Sequence, residues 1–462
     1  MRRAGLARKS VAIGLVFGVS GLLAACSSGS DSSSEDASAT SETSEEAASG
    51  GDDAASEDTG GGDAAGDEAT GNCINDIFGP GGPEAGEGVT LNGGMLLAMT
   101  GAGSFFGDVM SKGAQLAADQ IREAGGMDYQ ITIADHNNGD VPTALTEVKR
   151  MISQDGIEVL QTSYGAPSEA IAPLIAEAGV LTINGGGSSP GQLSKDFLWQ
   201  NRMVFAEDPA TGALAYINEQ YPDAKSLALL GTMENGVGVF RETAPNAWAK
   251  LTGGDVVVAE QHDVGETDFK AIASKIKASN ADAILSVSFG DDLGYQVKAV
   301  REAGIDVPFM GIEFTSQAAS IAGDTYDTFT FATDFYNVDN PNPWNQCFVE
   351  GYRAKYGEDP EYYGSNYYEQ VFIFWDLVKR VIAAGGDPND AAQLQAALIE
   401  NPTFASVYGG SADVVGEVIL DTNDHSISKP MGVFTVENGA PVLAQEIRKV
   451  SPSDDPASAL VQ

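Results

Sequence analysis

From Leu91 to about Val450 the chain switches repeatedly between short apolar runs and stretches whose apolar residues recur every three or four positions. The runs Met95–Met99, Ile131–Ala134, Ile157–Leu160 and Val180–Ile183 have strand length. Between the first two, Met110, Ala114, Ala117, Ala118 and Ile121 share one helical face, which Gly125-Gly126 terminates. Behind Asp140 and Pro142, a helix start, Leu145, Val148 and Ile152 repeat that spacing. The alternation restarts after Asp208-Pro209. Strands are expected at 226–232, 255–260, 283–289 and 309–314, and helices near 210–221, 239–251, 269–279 and 293–303. This order predicts parallel sheets covered by helices on both faces. About 360 residues exceed what one hydrophobic core usually covers. The expected class is therefore α/β, with two doubly wound parallel-sheet lobes. In such sheets ligands bind outside the carboxyl ends of the strands. That edge comprises the loops 100–107, 162–167, 184–190, 231–236, 288–294 and 311–317, with Ser104 in the first and Tyr164 in the second.

Ahead of the alternating region lies a segment that cannot build a core. Residues 27–90 hold 16 of the 66 acidic residues and no Lys or Arg, in a low-complexity order of Ser, Asp, Glu, Gly and Ala. From Leu91 onward fifty acidic residues still face 21 basic ones. A surface this negative repels nucleic acid, and no nucleic-acid partner is expected. Residues 26–88 read as a disordered acidic tether, with a root-mean-square reach on the order of 40 Å. The first residues are different again. Arg2, Arg3, Arg8 and Lys9 precede an uncharged apolar run, Val11–Ala25, too short to span a bilayer comfortably, so residues 1–25 read as an export signal.

That run ends at Leu23-Ala24-Ala25-Cys26, which resembles a bacterial lipobox. The resemblance implies cleavage before Cys26, acylation of Cys26 with lipid (diacylglycerol and palmitate), and a chain anchored on the extracytoplasmic face of the cell membrane. Cys73 and Cys347 then remain as an even pair in an oxidising compartment, and a disulfide between them would fasten 72–78 to the fold. The alternative is two separate buried thiols.

Signatures of catalysis are weak. Gly101-Ala102-Gly103-Ser104-Phe105-Phe106-Gly107 follows a strand and precedes a helix, but its spacing is looser than a dinucleotide loop. There is no H-E-x-x-H or G-x-x-x-x-G-K, and His136, His262 and His425 are scattered. We expect no enzyme, no metal and no cofactor. Asp291-Asp292 reads as a solvated helix start, and the aromatic cluster from Tyr362 to Trp375 as core, with one or two tyrosines available to a cleft.

Several stretches together carry a wider resemblance. They are Thr100–Gly107 with Gly113-Ala114-Gln115-Leu116-Ala117, Ile121 with Ala124-Gly125-Gly126, Glu177-Ala178-Gly179-Val180, the Ser-Ser-Pro turn, Thr267-Asp268-Phe269, Val300–Gly304, Phe309-Met310-Gly311 and Tyr352–Gly357. Their order and spacing are similar to those of type I periplasmic-binding proteins of the leucine/isoleucine/valine-binding family, across nearly all of 91–450. The resemblance implies two lobes joined by a three-strand hinge. The crossings fall near 205–209, 333–337 and 420–428, lobe one is 91–207 plus 337–421, and lobe two is 208–336 plus 428–450. It implies a monomeric receptor that hands a small polar solute, an amino acid or related amine or amide, to the permease subunits of an ABC importer. It places Gly165, Ala166, Gly186 and Ser188 at the ligand carboxylate, Phe106 and Phe289 as aromatic walls, and Glu313 at the ligand ammonium. Asn235 stands where many relatives have an aromatic residue, Gly165 has lost a hydroxyl, and the disulfide some relatives carry near Asn137 and Tyr164 has no cysteines here. A lipoprotein that reports ligand to a membrane receptor is the second reading, and an NAD-dependent oxidoreductase the third. If the tether only tethers, a chain beginning at Gly71 will bind its solute with the affinity of the longer protein by calorimetry; a tenfold loss would contradict that role.

Overall fold

Parallel strands, covered on both faces, organise what the computed structural model shows. It describes residues 72–461 apart from 203, 204, 234–236 and 428, all within the compact unit Asp67–Gln462. Cys26, Asn235 and residues 27–71 of the expected tether lie outside the described residues.

Five strands, β1 (Thr90–Leu97), β2 (Asp128–Asp135), β3 (Val159–Thr162), β4 (Leu181–Asn184) and β5 (Leu198–Gln200), form an all-parallel sheet in the order β2-β1-β3-β4-β5. The central strands β3 and β4 are buried at every position, which is why they read as unbroken apolar or neutral runs, whereas β2 at the edge is only partly covered. Met95, Leu97, Val159 and Ile183 point into one core, and Leu96 and Leu160 into the other. A second sheet holds β6 (Ser226–Thr232), β7 (Asp255–His262), β8 (Ala283–Val287), β9 (Phe309–Gly311) and β10 (Phe329–Asp334). After a separate hairpin, β11 (Thr403–Ser411) and β12 (Val414–Ile419), the chain adds β13 (Met431–Glu437) and β14 (Ala440–Ile447) to that sheet as antiparallel strands, giving the order β14-β13-β10-β9-β8-β6-β7. Alternation again divides the faces, with Leu227 and Leu229 in one core and Ala228 and Leu230 in the other.

Between the two sheets the chain passes three times, after β5, after β10 and before β13. The last two passages touch, since Phe335 N–H donates to the Pro430 carbonyl at 2.6 Å. The expected strands and helices are present with shifted ends, and lobe two runs past residue 450. Leu460 bridges to Ile447, and the short helix Pro456–Ala459 buries Ala459.

Helix Tyr362–Ala383 is the spine of lobe one, with most of its residues buried. It lies so close to helix Ser104–Glu123 that a β-carbon on Gly113 would collide with the Gly364 carbonyl. The aromatic cluster expected as core is mostly core: Tyr367, Tyr368, Phe372, Phe374 and Trp375 are buried.

The expected tether boundary at residue 88 needs correction. Asn72 caps a helix, Cys73–Phe78, by accepting from Ile74 N–H at 3.0 Å. Ile74 is fully buried, and Phe78 packs on Trp344, Phe372 and Trp375 with ring centroids 4.9, 5.1 and 5.7 Å away. Trp375 donates to the Ala85 carbonyl at 2.7 Å. The low-complexity composition concealed this because three apolar residues among glycines and acids are enough to seat one helical turn once a core is supplied from elsewhere. Cys73 is bonded to Cys347 of helix Pro343–Tyr356, their Cα atoms 6.0 Å apart. The link closes 274 residues of sequence. Labelling of the unfolded, non-reduced protein should therefore find neither thiol reactive, and Cys347→Ala should lower unfolding stability by about 2–5 kcal/mol in a denaturant titration.

Candidate functional site

Where the carboxyl ends of both sheets face each other lies a cavity of about 760 Å³. Each of the six loops expected at that edge contributes at least one residue to its wall: Phe106, Tyr164 to Pro167, Gly186 to Pro190, Thr232, Phe289 with Asp292, and Ile312. Lobe one presents the start of helix Gly165–Ala178, whose first-turn amides have no side-chain cap. Ahead of that helix Tyr164 holds φ +62°, a left-handed conformation costly for a large side chain. The strain aims its ring at the cavity, and its hydroxyl donates to Asn138 Oδ1 at 3.1 Å. Uncapped amides at a helix N-terminus favour an anionic or carbonyl oxygen.

The other lobe repeats this construction with opposite charge. Ser288-Phe289-Gly290 matches Ser163-Tyr164-Gly165 in position, and each serine meets a histidine, His136 Nε2 to Ser163 Oγ at 2.9 Å and His262 Nε2 to Ser288 Oγ at 3.1 Å. Burial lowers the pKa of both histidines, His136 to about 4, so both are neutral buttresses near pH 7. Here the helix, Asp291–Glu302, opens with two acids. Asp292 lines the cavity and accepts from Gly265 N–H at 3.0 and 3.1 Å.

A wall supplied by both lobes at facing strand ends is the arrangement that comparison with known proteins bears on most directly. The family model described as periplasmic binding protein matches residues 90–441. The chain belongs to the periplasmic binding protein family. The Leu/Ile/Val-binding protein homolog 1 of Brucella abortus (strain 2308) is 26% identical over 328 residues, 68% of this chain and 84% of that protein. A leucine-, isoleucine-, valine-, threonine- and alanine-binding protein of Pseudomonas aeruginosa is 25% identical over 316 residues, 66% of this chain and 82% of its own. The fold matches a branched-chain amino acid transporter substrate-binding protein of Streptococcus pneumoniae solved with isoleucine (TM-score 0.66, 20% identity, 78% of this chain and 99% of that one). It equally matches an ABC transporter solute-binding protein of R. palustris solved with benzoate (TM-score 0.67, 18% identity, 77% and 96%).

For this periplasmic binding protein the expected site residues divide. Phe106, Tyr164, Gly165, Ala166, Gly186, Ser188 and Phe289 line the cavity together. Ser104 begins its helix outside the wall, and Asn235 lies outside the described residues. Glu313, expected at a ligand ammonium, sits behind the wall instead. It is fully buried, with Tyr363 and Tyr362 hydroxyls donating to Oε1 at 2.6 and 3.3 Å and Gly290 N–H donating to Oε2 at 2.7 Å. Burial pushes its carboxyl up, against those hydrogen bonds and the nearby Arg202. An ammonium could reach Glu313 only by displacing Tyr363 or Gly290, because the strand end that orients Glu313 turns it toward the spine helix.

Tyr363, in the aromatic cluster from which one or two tyrosines are expected at a cleft, also lines the cavity, as does Arg202, which is not among the expected site residues. A signal for Arg202 existed: a basic side chain in so acidic a chain, just ahead of the expected first crossing. Among the described residues no group of His, Cys, Asp and Glu could hold a metal, and no helix is long and apolar enough to cross a membrane. Burial, with the neighbouring Asp291 and Glu266 charges and against the Gly265 amide, pushes Asp292 up to about 6. The folded protein thus keeps a proton that the unfolded chain releases at an ordinary carboxylate pKa of about 4, so this group's contribution to stability is lost as pH rises from about 4 through 6. Melting temperatures across that window should fall less steeply for Asp292→Asn than for the parent.

Proposed function

We propose that this protein is an extracytoplasmic solute receptor, anchored through acylated Cys26, that captures a small amino acid, amide or organic acid and delivers it as a single chain to the permease subunits of an ABC importer. One observation carries the reading: the cavity wall is divided between two lobes that only three chain passages connect. A solute touching both walls gains its full contacts only when the lobes are together, and that difference in contact energy drives closure. Closure about a hinge is the established behaviour of receptors of this class. The uncapped amides at Gly165 and Ala166 suit a ligand carboxylate or carbonyl, and the rings of Phe106, Tyr164 and Phe289 suit an apolar body. The relatives are binding proteins, and no reaction is assigned to the cavity.

A thermal-shift screen of the full chain against amino acids, amides, urea and aromatic acids tests this reading. At a concentration one hundred times its Kd the right solute adds about 2.7 kcal/mol of stability, and small-angle scattering should show the protein contract. No shift with any compound would remove the proposal.

A further inference from the structure

Arg202 is the only Lys or Arg among the described residues lining the cavity. It is 5% exposed, and its Nε–H donates to Asp334 Oδ2 at 2.7 Å. The Tyr362 and Tyr363 rings lie 5.3 and 5.4 Å from its Cζ and hold the guanidinium plane. Among the described residues no hydrogen bond uses its two terminal nitrogens. Four N–H donors on a nearly buried cation at the cavity wall are thus left without an acceptor among the described residues, an arrangement that is costly unless one arrives. From the opposite lobe, at the carboxyl end of β6, Thr232 also lines the cavity: among the described residues its buried Oγ1 has no partner, and the residue is 1% exposed. Of the acids at or behind the wall, Glu313 is committed to Tyr363 and Gly290, Asp292 to Gly265, and Glu169 to Ser189, while Glu207 also lines the cavity.

Resting on the capture role proposed above, we infer that the solute is a small organic acid whose carboxylate is gripped by the Arg202 guanidinium fork and the Thr232 hydroxyl. The planar fork matches a carboxylate with two parallel hydrogen bonds, which a neutral amide of the same shape cannot accept equally. Because Arg202 and Thr232 stand on different lobes, the carboxylate itself bridges them, and acid selectivity and closure share one contact. Aromatic neighbours at Phe289 and Tyr363 leave room for an apolar or aromatic body on the acid.

The test pairs acids with their amides on the full chain by titration calorimetry: benzoate with benzamide, phenylacetate with phenylacetamide, and isoleucine with isoleucinamide. At least one acid should bind, and bind at least about tenfold more tightly than its amide. Arg202→Gln combined with Asp334→Asn removes the fork without stranding a buried carboxylate, and should abolish that preference. Thr232→Val, nearly isosteric and uncharged, should weaken the acid severalfold and leave the amide unchanged, so the assignment stays testable even if the double variant does not fold. An amide that binds as tightly as its acid overturns the assignment, as does a preference that survives the double variant or an acid indifferent to Thr232→Val. If amides or amines bind without that preference, the capture role stands and only the carboxylate grip falls. If no acid, amide or amino acid binds, both fall.

Discussion

A parallel strand cannot be joined to its neighbour by a tight turn, and most of this molecule follows from that constraint. Each return to the sheet needs a crossover, here usually helical, so the sheet is covered on both faces and its carboxyl ends all open on one edge. Two such sheets, joined by three passages, face those edges toward each other. The cavity is what lies between them. Its wall is built from loops because the strands that position them are committed to the cores.

The passages between lobes carry an unusual concentration of buried charge. Arg202 follows β5 and pairs with Asp334 at the end of β10, the two side chains 6% and 0% exposed. Burial works against the Arg202 charge, but the facing Tyr362 and Tyr363 oxygens and the Asp334 carboxylate outweigh it. Just before β13, Lys429 donates to Asn366 Oδ1 and Glu369 Oε2, each at 2.7 Å, and lies 4.1 Å from the centre of the Tyr408 ring. Burial pulls the Lys429 pKa down while Glu369 opposes it. Buried pairs of this kind add little net stability over apolar packing, but losing one partner costs about 3–5 kcal/mol. Their value is geometric: each passage is pinned to a specific partner, so the lobes are held in register where they must also turn.

The two lobes treat equivalent positions differently. The same serine, aromatic and glycine order ends β3 and β8, and each serine meets a buried histidine. On lobe one the following helix offers bare amides, whereas on lobe two Asp291 and Asp292 occupy its first turn. One scaffold therefore yields an oxygen-accepting wall and an acidic wall. The difference is made by two residues at a helix start, where the helix dipole and unpaired N–H groups make charge count most.

Much of the architecture was legible in the sequence because it follows from periodicity. Runs such as Met95–Leu97 and Val159–Leu160, apolar without alternation, mark strands buried on both faces, and spacings such as Met110, Ala114, Ala117 and Ile121 mark the helices that cover them. Strand order then places the functional loops, and all six reach the cavity. The attachment of Cys73–Phe78 was legible only through Cys73, and its helix was not, since the helix packs on Trp344, Phe372 and Trp375, which lie far along the chain. Nor was the difference between Glu313 and Arg202. Both are charged residues at strand ends, and local pattern treats them alike. Which one faces the cavity depends on the direction each side chain takes and on which partners fill its hydrogen bonds first. Tyr362 and Tyr363, some 50 residues from Glu313, take its oxygens, while Asp334 takes a single nitrogen of Arg202. Sequence alone determined the two-lobed parallel architecture and the strand edge that lines the cavity, because both follow from short-range periodicity; only the tertiary structure decided which charge faces that cavity, because buried hydrogen bonds are allotted among residues distant in the chain.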